Sequence, residues 1–202
     1  MPCHHRFQND LQLAYTNWEI RTLFIGTFNP AWLIPNNNAQ WFYGRVARND
    51  FWGILPSIHN GELLIDEGPQ EWKNFCRNHF IGITDIISSL EDADVGDPDH
   101  VEKVRKFRDA DLATFEIIPN DIPLILERHK TIEQICLTRN TLPNPWNGLF
   151  QPTFDWVAEH PERNIEIKLL RSPSRGARNG VVGNFTQFIA AHWQQVGGYQ
   201  IK

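Results

Sequence analysis

Cysteine is scarce. Cys3, Cys76 and Cys136 stand far apart and form no CxxC pair. That spacing excludes a clustered zinc or iron–sulfur framework and fits reduced thiols in a cytosolic setting. Methionine occurs once and tyrosine three times, against eight tryptophans and 13 phenylalanines. No run approaches the ~18 apolar residues of a membrane helix. The opening MPCHHRFQND has no apolar centre of the kind a signal peptide carries. The expectation is a protein of the cytoplasm or nucleoid with no membrane partner. No internal repeat or low-complexity tract is present. Positive charge is also short: 19 Lys and Arg against 24 Asp and Glu leave a net charge of −5 and a pI of about 5.9. Wrapping nucleic acid by net charge alone is thereby excluded, but a local basic site on an acidic body is not.

The chain has 202 residues, 41% of them apolar, and a mean hydropathy of −0.42. A domain of this size buries roughly 70% of its unfolded surface, so no disulfide or metal is needed to hold it. One domain over 1–202 and a monomer without a cofactor are expected. Residues 1–17 read as a peripheral tail, and His4 and His5 beside Cys3 read as part of a frayed terminus rather than a metal site.

Strand signals fall at Leu23–Ile25 ending in Gly26, at Phe80–Ile87, at Thr131–Thr138 and at Asn164–Leu170. Helices are expected over Asp50–Ile58 with an interruption at Pro56, over Gln70–Asn78, after an N-cap at Asn120–Asp121, at a turn over Phe154–His160, and over Gly183–Val196. Glu91–Arg108 reads as charged surface loop and helix. This alternation predicts an α/β fold, a three-layer αβα sandwich around a central, mainly parallel four-stranded sheet. In such sheets ligands sit outside the carboxyl ends of the strands. Here those ends are Thr27, Thr138–Asn140 and Arg171–Asn179.

Three stretches carry chemistry. In GTFNPAW, Gly26 lets the chain leave its strand sharply, and Asn29 before Pro30 projects an amide that can hold a water or a base edge. An ordinary Asn-Pro turn is the plainer reading. In WFYGRVARNDFW, aromatics and arginines interleave in a way that suits base stacking with phosphate contacts nearby. Trp41, Phe51 and Trp52 are expected in the core, and Phe42 or Tyr43 in a site. In LLRSPSRGARNG, small hydroxyl residues and arginines follow a strand and can grip phosphates, although a solvated loop would look the same.

In this order the stretches resemble the uracil-DNA glycosylase superfamily. GTFNP is similar to its first motif, IGITDII to its central strand segment and RSPS to its second motif. LFIGTF, FYGxxxRNDFW and IIPNDI before LILERH are most similar to the hypoxanthine-DNA (deoxyinosine) glycosylase branch, with the mismatch-specific uracil glycosylases next. The likeness spans most of the chain from Leu23 onward. It implies a uracil-DNA glycosylase-like domain that flips a deaminated base, uracil or hypoxanthine, out of DNA and cleaves its glycosidic bond with water.

The resemblance places catalytic asparagines at Asn49 and Asn29, either of which could position the water. It places the substrate pocket at Gly26, Thr27, Phe28, Phe42, Tyr43, Asp85 and Ser172, with Phe42 or Tyr43 stacking on the base and Asp85 reading its edge. DNA contacts fall to Arg45, Pro173, Ser174, Arg175 and Arg178, with Arg175–Gly176 at the position of the intercalating wedge. Gly26 to Asn29 is one residue longer than the usual spacing, and Ser172 stands where many members carry histidine or asparagine. Three scattered cysteines exclude the iron–sulfur forms. Those departures keep an alternative open, a weak or inactive domain of the same fold that binds nucleic acid or a partner.

Overall fold

The computed structural model describes residues 1–35, 38–59 and 61–202; Asn36 and Asn37 of the long aromatic loop, and Asn60, lie outside the described residues. The elements are β1 (Cys3–His4), β2 (Thr22–Gly26), α1 (Phe51–His59), α2 (Pro69–Asn78), β3 (Ile81–Asp85), β4 (Ile87–Leu90), α3 (Pro98–Lys106), α4 (Asp109–Leu112), β5 (Ile117–Pro119), α5 (Ile122–Arg128), β6 (Gln134–Leu137), α6 (Trp146–Glu159), β7 (Glu166–Leu169) and α7 (Phe185–Gln195). A four-stranded parallel sheet runs in the order β3-β2-β6-β7, and a smaller antiparallel sheet in the order β1-β4-β5.

The central strands of the parallel sheet are largely apolar on both faces, as a layer covered twice must be. Side chains alternate: Leu23, Ile25, Ile135 and Leu137 enter one core with residues of α5 and α6, whereas Phe24, Ile83 and Cys136 enter the other with α1, α2 and α7. Tryptophan fills the second core, where Trp41, Trp52, Trp72 and Trp193 are all buried. Trp52 and Trp72 stack 5.0 Å apart with planes 5° from parallel. Phe51 and Trp52 are fully buried, as expected. The thiols are free and buried, and burial pushes the Cys3 thiol up to about 11.

Several boundaries moved for identifiable reasons. The expected strand Phe80–Ile87 is two strands: Asp85 ends β3 in the parallel sheet, and β4 turns into the antiparallel one. Pro56 does not interrupt α1. The Trp52 carbonyl, which loses its i+4 donor to the proline, accepts the Leu64 N–H at 2.9 Å instead. α6 starts at Trp146, eight residues before the expected turn at Phe154. Asp121 caps α5 by accepting from Leu124 N–H at 3.0 Å, so the N-cap reading holds there.

The frayed-tail reading of the first residues does not hold. Cys3 and His5 are buried, β1 pairs with β4, and His5 bridges to Pro30. Farther along, Tyr15 Oη donates to the Ile83 carbonyl and accepts from the Ile83 N–H, and Trp18 Nε1 donates to the Ile81 carbonyl. These side chains close the free edge of β3, which would otherwise expose its backbone.

Candidate active site

The carboxyl ends of β2, β3 and β6 open into a cleft of about 660 Å³. That volume lies within the ~300–1,000 Å³ range of small-molecule pockets. Thr27, Phe28 and Asn29 line it from the end of β2, Asp85 from β3 and Thr138 from β6. Ser172–Ala177 approach from beyond β7, Tyr43–Asn49 in part from the loop before α1, and Lys106–Asp109 from the α3–α4 junction. Arg45, Arg48, Lys106, Arg108 and Arg175 border it, against Asp85 and Asp109. The acidic chain therefore carries a locally basic cleft.

Its closed end is a buried polar network. Asp85 is 3% exposed, and its Oδ2 receives Asn29 Nδ2 at 2.7 Å and His5 Nε2 at 2.8 Å. His5 Nδ1 accepts the Phe7 N–H at 3.0 Å. That bond assigns the tautomer: Nδ1 is bare, so Nε2 carries the proton and donates to Asp85. Asp85 Oδ1 lies against Gly26, only 2.2 Å from where a Cβ on that residue would stand. Glycine is required here for this close approach. Burial, and then the Asp85 charge, raise the Tyr43 phenol well above its ordinary range, so it stays a neutral hydroxyl. It shares a hydrogen bond of 3.0 Å with Thr138 Oγ1.

The aromatic assignments need correction. Phe42 is fully buried, faces His5, Phe7 and Trp41, and does not line the cleft. Tyr43 lines the cleft, but its ring lies flat on Phe51 at 3.8 Å. Phe28 also lines the cleft, although it is 2% exposed, and its plane runs 2° from that of Phe107 with centroids 6.5 Å apart. Arg45 places its guanidinium 4.4 Å above Phe107, and burial lowers its pKa to about 10.

Asn49 and Asn29 both reach the cleft but do different local work. Asn49 Oδ1 accepts the Phe51 N–H at 2.9 Å at the start of α1, and its backbone bridges to Ser174. Asn29 is tied to Asp85. Ser172 Oγ accepts the Ser174 N–H at 3.2 Å, which leaves its hydroxyl proton able to donate into the cleft. The buried Pro173 offers its carbonyl to the Asp50 N–H at 3.0 Å. Arg175 is held by Asp50 Oδ1 at 2.7 Å and by the Ala47 carbonyl at 3.2 Å, with Arg178 3.8 Å from Asp50 Oδ2. The Arg175 guanidinium is thus tied down against Asp50 and the Ala47 carbonyl.

Sequence reasoning missed His5, Phe107, Asp109 and Arg139. Arg139 pairs with both oxygens of Asp109 at 2.9 and 3.2 Å, donates to Thr27 Oγ1 at 3.1 Å and stacks on Trp146 at 3.9 Å. It latches the α3–α4 junction across the strand tips.

No family model matches the chain, and no curated protein matches it. Among solved structures it is similar to the solution NMR structure of a protein from Methanosarcina acetivorans, provisionally named as a uracil DNA glycosylase. The TM-score is 0.55 at 18% identity, over 89% of this chain and 90% of that one. At that identity the likeness is one of fold.

Proposed function

We propose that this protein is a monofunctional DNA glycosylase that removes a deaminated base, uracil or hypoxanthine, by extruding the nucleotide into the cleft and directing water at its glycosidic bond. The observation that carries this reading is the cleft itself. Asn29, Asn49 and Asp85 line it beside the wall of Phe28, and arginines border it. The fold likeness to the Methanosarcina acetivorans protein supports the same reading. Phe28 stacks on the flipped base, and Asn29 and Asn49 hold the attacking water. Ser172 donates to the departing base. Arg45, Arg48 and Arg175 face the phosphates, with Ser174 and Pro173 shaping that rim. The enzyme acts as a monomer on DNA in the cytoplasm, and no cofactor takes part.

A wedge is better supplied by Val182 than by Arg175. Val182 is 94% exposed and stands between Gly180 and Gly183, whose φ values are 79° and 88°. An apolar tip on such a turn can fill the stack that a flipped base vacates.

One assay tests the reading. Labelled duplexes carrying uracil, hypoxanthine or xanthine are incubated with excess protein and then treated with alkali to cut abasic sites. Cleavage at a lesion supports the glycosylase and names its base. A folded protein that cuts none of them, in duplex or single strand, refutes it in favour of a binding role.

A further inference from the structure

We infer that Asp85 is the general base that takes the proton of the attacking water, and that His5, from the N-terminal segment, is the positioning residue that holds it ready. The inference rests on the glycosylase reading, and it replaces the edge-reading role that the resemblance implied for Asp85.

Asn29 and Asn49 can orient a water but cannot accept its proton near neutral pH. Asp85 is the buried carboxylate of the cleft, and both described donors, Asn29 Nδ2 and His5 Nε2, converge on its Oδ2. Two N–H groups on one oxygen fix the rotation of the carboxylate. They also direct its other oxygen, Oδ1, against Gly26, where the absence of a side chain makes room for it. His5 Nδ1 is taken up by the Phe7 N–H, so the ring meets Asp85 as a donor through Nε2. The arrangement separates the tasks: one oxygen is anchored and the other is left for chemistry.

The step balances without a further reactant. The water oxygen bonds to C1′ as the C1′–N bond breaks, and the base leaves with that electron pair. The water proton passes to Asp85 Oδ1. It then passes to the departing base or to solvent, restoring the carboxylate. Before the bond has fully formed, the same negative charge lies near a sugar that has become oxocarbenium-like.

Two measurements test this. The first is single-turnover base release, with melting curves as a control on folding. Asp85→Asn keeps an oxygen for both donors, and it should lose roughly 10²-fold or more in rate, the scale of general-base catalysis. His5→Leu should lower the rate at saturating enzyme with little change in DNA affinity, and His5→Gln, which retains an N–H donor, should restore most of that loss. The second needs no turnover. Duplexes carrying a neutral tetrahydrofuran abasic site are compared with duplexes carrying a cationic pyrrolidine analogue. The wild-type protein should prefer the cation, and Asp85→Asn should abolish the preference. A wild type that releases no base sinks the glycosylase reading and the general-base role with it, whereas a wild type that releases base at a rate Asp85→Asn matches sinks the inference alone. Asp85→Asn or His5→Leu releasing base at close to the wild-type rate overturns it. Equal binding of the two analogues, or binding of neither, by the wild type also overturns it.

Discussion

Replacing Gly26 by alanine adds one methyl group at a point the structure has filled. The new Cβ would stand 2.2 Å from Asp85 Oδ1 and 3.0 Å from Tyr43 Oη. An ordinary carbon–oxygen contact is about 3.3 Å, so the carboxylate must retreat by roughly 1 Å, because β2 and β3 are locked side by side at this register. A retreat of that size takes the bonds of 2.7 and 2.8 Å from Asn29 and His5 out of range. Hydrogen bonds to a charged partner contribute about 1.5–3 kcal/mol each, and weakening both should cost about 3 kcal/mol of stability. In a domain of this size that corresponds to a melting temperature lower by about 6–12 °C. A displacement of about 1 Å in a catalytic group also costs on the order of 10²-fold in rate. Thermal unfolding and single-turnover base release, run on the same preparation, read both effects. A Gly26→Ala protein that melts with the wild type and releases base within threefold of its rate would refute the reasoning, since it would show that Asp85 has freedom the packing denies it.

Other outcomes follow from the same geometry. Phe28→Ala should weaken binding of lesion duplex by about 1–3 kcal/mol, the scale of base–aromatic stacking, in addition to the lower melting temperature that emptying its buried site brings, while Phe42→Leu should lower the melting temperature alone; fluorescence anisotropy and calorimetry separate the two. Val182→Asp should reduce cleavage of a matched lesion pair more than cleavage of a mismatched one, because an unpaired base needs less help to leave the stack. Arg139→Ala releases Asp109 and should make the α3–α4 junction the first site cut in limited proteolysis. Burial, with a smaller contribution from His79, holds His59 down to about 4, against 6.5 for a free histidine. The unfolded chain therefore binds the proton first, and stability should fall as the pH is lowered from about 6.5 to 4. His59→Gln should flatten the melting temperature over that window, and an unchanged slope would remove His59 as its source.

Much of the architecture is legible in the sequence, and the reasons are local. Leu23–Ile25 and Ile135–Leu137 are apolar on both faces, which only a doubly covered strand tolerates. The small antiparallel sheet left no such trace: β1 has two residues and β5 three, too short to show a period. The start of α6 was hidden by LPNPW, whose prolines read as loop. In the cleft, the strand tips at Gly26 and Thr138 were legible because chains leave parallel strands there, whereas the end of β3 at Asp85 was hidden inside the longer run Phe80–Ile87. The choice among adjacent aromatics was not. Tyr43 adopts a φ of 56°, and no pattern of residue types could say that this turn sends Phe42 inward and leaves Tyr43 at the cleft wall. Phe107 was lost in a run of charges. His5 was unreadable for a different reason: its partner lies 80 residues away and only strand pairing brings them together.

That separation bears on how the protein is made. During synthesis Cys3–His5 leaves the ribosome 80 residues ahead of Asp85, and β4, to which β1 pairs, comes later still. At ~5–20 residues per second the leading segment waits several seconds or more with neither its strand partner nor its carboxylate. The cleft cannot assemble from the front of the chain backward. Its closed end can form only after the third and fourth strands emerge and the waiting segment crosses over them, and its outer walls, Thr138 and Ser172–Ala177, are made later still.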